Sequence, residues 1–185
     1  MNNAKPVTVP FATHFKLSAD MSPKTDEEME HMSSVSYSIA TGSIMYAMIC
    51  NQFDISHLVS IVSRYMACPG KEHWQAVKWI LRYLKGTINV GLTFHRAKMS
   101  DLVVGYVDSN FARDLDKRRS LTGYLFTLSG TAISWKATLQ ATITLSTIKA
   151  EYMALVEAVK EANSNLEVEM GSEEYLGLVD CYRID

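Results

Sequence analysis

The sequence predicts an α+β protein, in which a helical hairpin precedes an antiparallel three-stranded meander and one further helix. Apolar residues recur at steps of three and four up to Lys85, and short runs rich in β-branched and aromatic residues then replace that period. The helical period returns near Thr147. With 185 residues, 48% hydrophobic and 21% charged, the chain has a globular composition and room for one or two small domains.

The segment before the hairpin shows little periodicity. It contains Pro6, Pro10 and Pro23, together with an acidic cluster around Glu28. Because proline interrupts regular structure, we expect residues 1–34 to form an extended, loosely held lead-in.

Two amphipathic helices are predicted next. In the segment Asp54–Ala67 one helical face carries the apolar residues Ile55, Leu58, Val59, Val62, Tyr65 and Met66. Pro69 and Gly70 end this helix, and a second helix is predicted over Lys71–Lys85, with Gly86 placed to end it. The short connection predicts that the two helices form an antiparallel hairpin.

Four short runs after the hairpin have the residue types of β-strands. They are Val90–Phe94, Leu102–Asp108, Gly123–Leu128 and Thr131–Trp135. Ser129 and Gly130 lie between the last two runs and predict a tight turn. We therefore expect a meander of antiparallel strands.

The last predicted helix begins near Thr147, and its expected apolar side consists of Tyr152, Met153, Leu155, Val156 and Val159. From Glu161 onward seven acidic residues stand against the single basic residue Arg183, without a sustained period. We interpret residues 163–185 as a divergent acidic tail and assign no regular structure to them.

The net charge and the spacing of the cysteines limit which partners and which cell compartment the sequence supports. A net charge of −2 provides no global basic field, so a nucleic-acid contact would have to come from a local patch. Three widely spaced cysteines and a start without a signal-peptide pattern predict a cytoplasmic or nuclear protein that is not secreted. No apolar run approaches the roughly 18 residues of a membrane-spanning helix, so we expect no membrane partner.

Four blocks of sequence resemble copia-type retrotransposon Pol polyproteins. The segments Ala40–Cys50 and Pro69–Thr87 are similar to the region between the reverse transcriptase and the RNase H domain of that family. The segments Gly105–Trp135 and Leu145–Glu161 resemble the opening of the RNase H domain. The resemblance covers roughly residues 15–161, and it implies a transposable element.

The resemblance also implies how the chain is organised. Residues 35–88 correspond to the helices that connect reverse transcriptase with RNase H, and residues 89–162 correspond to a truncated, partial RNase H-like domain. The paired aspartates of the polymerase lie upstream in such polyproteins. We therefore expect no DNA polymerase activity from this chain.

RNase H cleaves the RNA strand of an RNA–DNA hybrid with two divalent ions about 4 Å apart, and magnesium, the cofactor of the family, requires oxygen ligands. The resemblance assigns the first carboxylate to Asp108, as a catalytic and metal-binding relic. It places a family glutamate at the position of Lys149, whose side chain carries no acceptor and repels cations. We therefore expect no productive magnesium binding and no cleavage.

Two further observations favour an inactive site. Glu151 lies two residues, or about 200°, farther along the predicted helix than Lys149 and so points to another face. No apolar strand that could carry a third carboxylate is recognisable in residues 163–185. Without that strand, Leu102–Asp108 would have an exposed edge, through which we expect the chain to self-associate.

Two basic groups are candidate contacts for nucleic acid. Lys71, Lys78, Arg82 and Lys85 fall within about 60° on the helical wheel, which fits either a row of phosphate contacts or a solvated helix face. The same two interpretations apply to a basic turn formed by Lys117, Arg118 and Arg119. Binding of a hybrid through either group should be weak and sensitive to salt.

Aromatic and metal-ligating residue types elsewhere have simpler interpretations. Trp74, Trp79 and Trp135 lie in apolar periodic runs and are expected to anchor packing rather than stack on bases. The spacing of His57, Cys68 and His73 matches no zinc pattern, so we assign them structural roles. The sequence thus favours a catalytically silent fragment of Pol. An active nuclease and a protein-interaction module are the alternatives.

Overall fold

The computed structural model describes residues 4–12, 15–50, 52–94, 102–169 and 179–183. The chain divides into two compact units, residues 1–91 and residues 92–185. In the described residues the first unit is helical, and the second combines a four-stranded sheet with a long helix. The α+β class predicted from the sequence is confirmed.

The described part of the first unit contains the α-helices α1 (Asp26–Ser33), α2 (Tyr37–Cys50), α3 (Ser56–Val62) and α4 (Lys71–Gly86). Shorter 3-10 turns lie at Ala19–Met21, Phe53–Ile55 and Ser63–Tyr65. The last two turns flank α3, so together they occupy the segment predicted as the first helix of the hairpin. The second predicted helix corresponds to α4, and α2 packs against both α3 and α4.

The presence of α1 contradicts the expectation that residues 1–34 are extended throughout. Thr25 caps this helix, because its hydroxyl accepts a hydrogen bond from the Glu28 backbone N–H at 3.3 Å. The Glu28 carboxylate in turn accepts a bond from the backbone N–H of Lys24 at 3.1 Å, which lowers the pKa of Glu28. The acidic cluster is therefore a helix N-terminus, where negative charge is favourable.

The core of the first unit is formed mainly by α2, α3 and α4. Its largest fully buried side chains include Tyr37, Ile44, Ile55 and Ile80. The Tyr37 hydroxyl donates to the backbone oxygen of Val62 at 2.8 Å, so the polar atom of this buried ring is satisfied. Burial also raises the pKa of Tyr37. None of the helices in the described ranges has the length and apolar character needed to cross a bilayer.

The sheet of the second unit has the order β3-β2-β1-β4. Its strands are β1 (Val103–Asn110), β2 (Leu121–Leu128), β3 (Thr131–Leu139) and β4 (Val179–Arg183). The first three pair antiparallel, as the predicted meander requires. Ser129 and Gly130 join β2 to β3 with φ of 50° and 77°, which are the positive values of a tight hairpin turn.

The helix α5 (Thr147–Glu169) packs on one face of this sheet through a stripe of small residues. The stripe consists of the buried residues Ala150, Ala154, Ala158 and Ala162. Ala154, Ala158 and Ala162 lie against Val107, Tyr124 and Phe126 of the sheet. The predicted apolar side was wrong, because Tyr152, Leu155 and Val159 are exposed. Alanine is favoured on the sheet side since it lets a helix approach a sheet closely.

Strand β4 corrects three expectations about the end of the chain. It pairs in parallel with β1, with Val179 beside Val103 and Arg183 beside Val107. The expected uncovered edge of β1 is therefore wrong, and self-association argued from that edge loses its basis.

The other two expectations concern residues 163–185. This segment does have regular structure, because α5 continues to Glu169 and β4 follows. The expectation that no strand there could carry a carboxylate is wrong as well, since β4 contains Asp180, whose backbone pairs with Val104 of β1.

One predicted strand does not form. Residues Val90–Phe94 have no strand conformation, and the side chains of Val90 and Phe94 are exposed. Residues with high strand propensity form a strand when their side chains can pack on a pleated, partly buried sheet surface. Residues 90–94 pair with no neighbouring strand, so such a surface is missing here.

Candidate functional site

Asp108 lies near the C-terminal end of β1, opposite Gly123 of β2. Neighbouring side chains of a strand point to opposite faces of the sheet. Val107 contributes to the core beneath α5, so Asp108 belongs to the other face, and its side chain is exposed. The sheet thus separates this carboxylate from the face on which α5 packs.

The first turn of α5 presents two candidate residues in different directions. Lys149 is exposed, and its backbone N–H donates to the Ser146 hydroxyl at 3.2 Å. Glu151 is half-buried and lies three residues before the buried Ala154, which places it toward the sheet. Sequence reasoning set Glu151 aside, although its spacing from Ala154 and Ala158 is a signal that could have identified its direction.

The described residues do not converge on a site for two divalent ions. Among them, no three histidine, cysteine, aspartate or glutamate side chains are close enough together to hold a metal. The two carboxylates considered from the sequence, Asp108 on β1 and Glu151 on α5, lie on separate elements, and two carboxylates supply too few oxygen ligands for a magnesium pair. The donor set seen in the described residues does not fit the cofactor of the family.

The basic turn lies between β1 and β2 and is held by a buried aspartate. The Asp114 carboxylate accepts a hydrogen bond from the Lys117 backbone N–H at 3.1 Å, and the Asp114 carbonyl accepts one from the Arg118 N–H at 2.9 Å. Arg118 has φ of 55°, in the left-handed region that residues other than glycine seldom adopt, so the turn holds its backbone in an unusual conformation. Lys117 and Arg118 are exposed and Arg119 is half-buried, so the turn displays fixed positive charge.

A buried polar network joins this turn to the segment before α5. The Ser120 hydroxyl bonds the Thr144 hydroxyl at 2.7 Å and accepts from the Ala112 N–H at 3.1 Å. Gln140 donates through Nε2 to the Thr122 hydroxyl and to the Ala150 carbonyl, at 3.1 and 2.8 Å. The basic turn and the start of α5 are therefore fixed at one end of the sheet. Because β1 runs directly into the turn, Asp108 lies at the same end.

The basic stripe of α4 is partly covered by the chain itself. Arg82 Nε donates to the Lys5 carbonyl at 2.8 Å, and Lys85 Nζ donates to the Ala4 carbonyl at 3.1 Å. The Trp79 indole N–H donates to the Val9 carbonyl at 2.9 Å. Two of the four predicted phosphate contacts are thus engaged by residues 4–9, whereas Lys71 is exposed and Lys78 lies 5.9 Å from the centre of the Trp74 ring.

A cleft of about 570 Å³ lies beside this stripe. It is lined by Ala4, Phe15, Glu72, Gln75, Lys78, Trp79 and Arg82. Its volume falls in the range of small-molecule sites, yet Glu72 offsets part of the positive charge. Arg82 already stacks on Trp79 at 5.2 Å, which occupies one face of that ring. The cleft therefore has no clear anionic specificity.

Trp74 and His73 have the packing roles predicted from the sequence. Trp74 packs against the core of the first unit beside Tyr37. His73 is fully buried, stacks on Tyr65 with ring centres 3.9 Å apart, and accepts the Gly70 N–H on Nδ1 at 2.9 Å. Its Nε2 lies 3.0 Å from the Ser18 carbonyl, so both ring nitrogens have backbone partners.

Comparison with known proteins identifies the family. The chain is 54% identical over 161 residues to the retrovirus-related Pol polyprotein from transposon TNT 1-94 of Nicotiana tabacum. These 161 residues are 87% of this chain and 12% of that protein. The chain belongs to the copia-type retrotransposon Pol polyproteins. The Pol polyprotein from transposon RE1 of Arabidopsis thaliana is 35% identical over 161 residues, which are 87% of this chain and 10% of that protein.

The copia-type chain therefore spans about a tenth of the length of these Pol polyproteins. A much shorter relative also exists, named secreted RxLR effector protein 161, from Plasmopara viticola. It is 45% identical over 131 residues, which are 71% of this chain and 92% of that protein. No family model matches the chain, and no solved structure matches it.

Proposed function

We propose that the second unit is an RNase H-like part of a Pol polyprotein that binds an RNA–DNA hybrid without cleaving it. The proposal rests on the directions in which the side chains of Asp108 and Lys149 point. Asp108 lies on the sheet face away from α5, and Lys149 presents a cation at the start of that helix. Both differ from what two-metal cleavage requires.

The absence of cleavage follows from the chemistry of the reaction. Hydrolysis of a phosphodiester by two ions needs carboxylates that fix one ion beside the attacking hydroxide and the other beside the leaving oxygen. Asp108 and Glu151 together supply too few ligands for two ions, and a displacement of about 1 Å can already cost roughly a hundredfold in rate. Lys149 adds positive charge where a family member would have a carboxylate.

Binding is proposed to occur at the basic turn. The buried Asp114 and the left-handed Arg118 hold the backbone of this turn, so its cations need little further ordering to meet phosphates. Phosphate contacts do not read bases, and the affinity should therefore be independent of sequence. The α4 stripe is a weaker candidate, because Arg82 and Lys85 bond residues 4–9.

The binding proposal is tested with two double variants that remove equal charge. Lys117→Gln with Arg118→Gln should weaken binding of a labelled hybrid and should reduce the slope of log affinity against log salt by roughly 1.8. Lys71→Gln with Lys78→Gln is the matched control and should change the affinity less than about twofold. Fluorescence anisotropy at several salt concentrations measures both. Equal losses in the two variants would show that the turn is not the binding site.

The cleavage proposal is tested on the same hybrid with magnesium and with manganese. The unchanged chain and Lys149→Glu should both be inert, since one restored carboxylate does not complete the ligand set. Asp108→Asn and Glu151→Gln serve as controls. If the unchanged chain cuts the hybrid and both controls abolish cutting, Asp108 and Glu151 form a working site and the proposal is wrong.

A further inference from the structure

Helix α2 leaves an apolar face in solvent. Its fourteen residues include no charged side chain, and apolar residues lie on every side of the helix. One side packs in the core through Tyr37, Thr41 and Ile44. On the other side Ile39 and Tyr46 are 73% and 72% exposed. A helix that is apolar all round is normally covered on all sides.

The exposed face has the spacing of a helix–helix seam. Ile39, Gly42, Tyr46 and Ile49 follow one another at steps of three, four and three, and all four are exposed. This is the spacing of the a and d positions at which two helices interdigitate. Gly42 marks a notch in the seam, because a Cβ added there would have no atom within 4 Å.

The seam is complementary to itself under two-fold symmetry. Ile39 and Ile49 each lie five residues from Ile44, and Gly42 and Tyr46 each lie two residues from it. In an antiparallel pair whose axis crosses α2 at the level of Ile44, Ile39 would meet the partner's Ile49. Tyr46 would fill the notch at the partner's Gly42. The largest side chain of the seam would thus face its smallest residue, and the two isoleucines would pack against each other at either end.

We propose that α2 is a dimerisation surface whose occupant is α2 of a second copy of this chain, packed antiparallel. An isologous interface joins the same surface patch of both copies, so a patch with charges of one sign would repel itself. The absence of charge on α2 therefore suits a second copy better than a charged partner. The surface is distinct from the basic turn proposed for hybrid binding.

The expected dimer is weak. With roughly 200 Å² for each large side chain, the exposed fractions of Ile39, Tyr46 and Ile49 leave about 400 Å² per protomer to be buried. About 800 Å² for the pair is below the roughly 1,200 Å² of stable specific interfaces. A transient dimer with a dissociation constant on the order of 100 μM is consistent with that area.

Sedimentation equilibrium from about 10 μM to 1 mM tests the proposal, because this range spans the expected dissociation constant. Gly42→Leu fills the notch without a clash in the monomer and favours the helix, so it should weaken association at least about tenfold while the chain stays folded. Ile39→Glu should have a similar effect. Ile88→Glu changes an equally exposed residue outside α2 and should leave association unchanged.

Disulfide trapping tests the orientation. Ile39 would meet the partner's Ile49 in this arrangement, so a variant with both Ile39→Cys and Ile49→Cys should cross-link between copies under mild oxidation. The background carries Cys50→Ser, Cys68→Ser and Cys181→Ser. Either substitution alone should not cross-link, because two copies of the same cysteine would be about 15 Å apart along the axis.

Each outcome of these tests decides for or against the proposal. Concentration-dependent dimers that Gly42→Leu abolishes, together with trapping that requires both Ile39→Cys and Ile49→Cys, support it. A chain that stays monomeric at about 1 mM overturns it and leaves the face for another segment of a longer polyprotein. Equal trapping through either substitution alone would overturn the antiparallel arrangement.

Discussion

The start of α4 should be intolerant of any side chain at Gly70. An added Cβ would lie 1.8 Å from the Met21 carbonyl oxygen and 2.9 Å from its carbon, and both are backbone atoms. Gly70 has φ of −98°, which any residue can adopt, so the expected cost of Gly70→Ala is steric rather than conformational. Relief of the clash requires the two backbone segments to separate.

The magnitude can be estimated from the contacts that such a separation would break. Overpacking of this kind costs about 1–3 kcal/mol. The Gly70 N–H bond to the buried His73 would also be strained, and an unsatisfied buried group costs about 1–3 kcal/mol. Together these effects predict a loss of roughly 2–6 kcal/mol in the free energy of unfolding, a large part of the ~5–15 kcal/mol of a typical domain.

Urea denaturation followed by circular dichroism and tryptophan fluorescence measures this loss. Gly42→Ala is the matched control, because Gly42 lies inside α2 with open space around it. That variant should be more stable than the unchanged chain by about 0.5–1 kcal/mol. The measurements are made at low micromolar concentration, where α2 is unpaired. If Gly70→Ala unfolds within about 0.5 kcal/mol of the unchanged chain, the steric reasoning is refuted.

Two further predictions concern polar contacts. The Tyr83 hydroxyl donates to the Asp54 carboxylate, which raises the pKa of Tyr83 from 10.0 to about 12. This contact stabilises the fold below about pH 10 and is lost as the pH rises through 12, so Asp54→Asn should lower the pKa that an absorbance titration at alkaline pH reports. Gln140→Leu should lower the free energy of unfolding by about 1–3 kcal/mol in urea, because it removes the buried donor to Thr122 and Ala150. An unchanged midpoint would show that the network is not stabilising.

Several elements could be predicted from the sequence because local signals define them. Helix α4 was expected over Lys71–Lys85 and ends one residue later, since its apolar period and the flanking glycines are both local. The hairpin turn at Ser129 and Gly130 was likewise expected from residue types alone. The predicted side of α5 was wrong, because a stripe of alanines is a weaker signal than the large apolar residues on the opposite side.

The sequence by itself determined the family and the α+β class, because identity and local period are properties of the chain alone. Only the tertiary structure decided which basic side chains are exposed to solvent and which strand edges are covered. Whether Arg82 meets solvent depends on residues 4–9, more than seventy positions earlier, and whether the edge of β1 is covered depends on β4. Such contacts join distant segments, and their formation depends on packing that no local pattern contains.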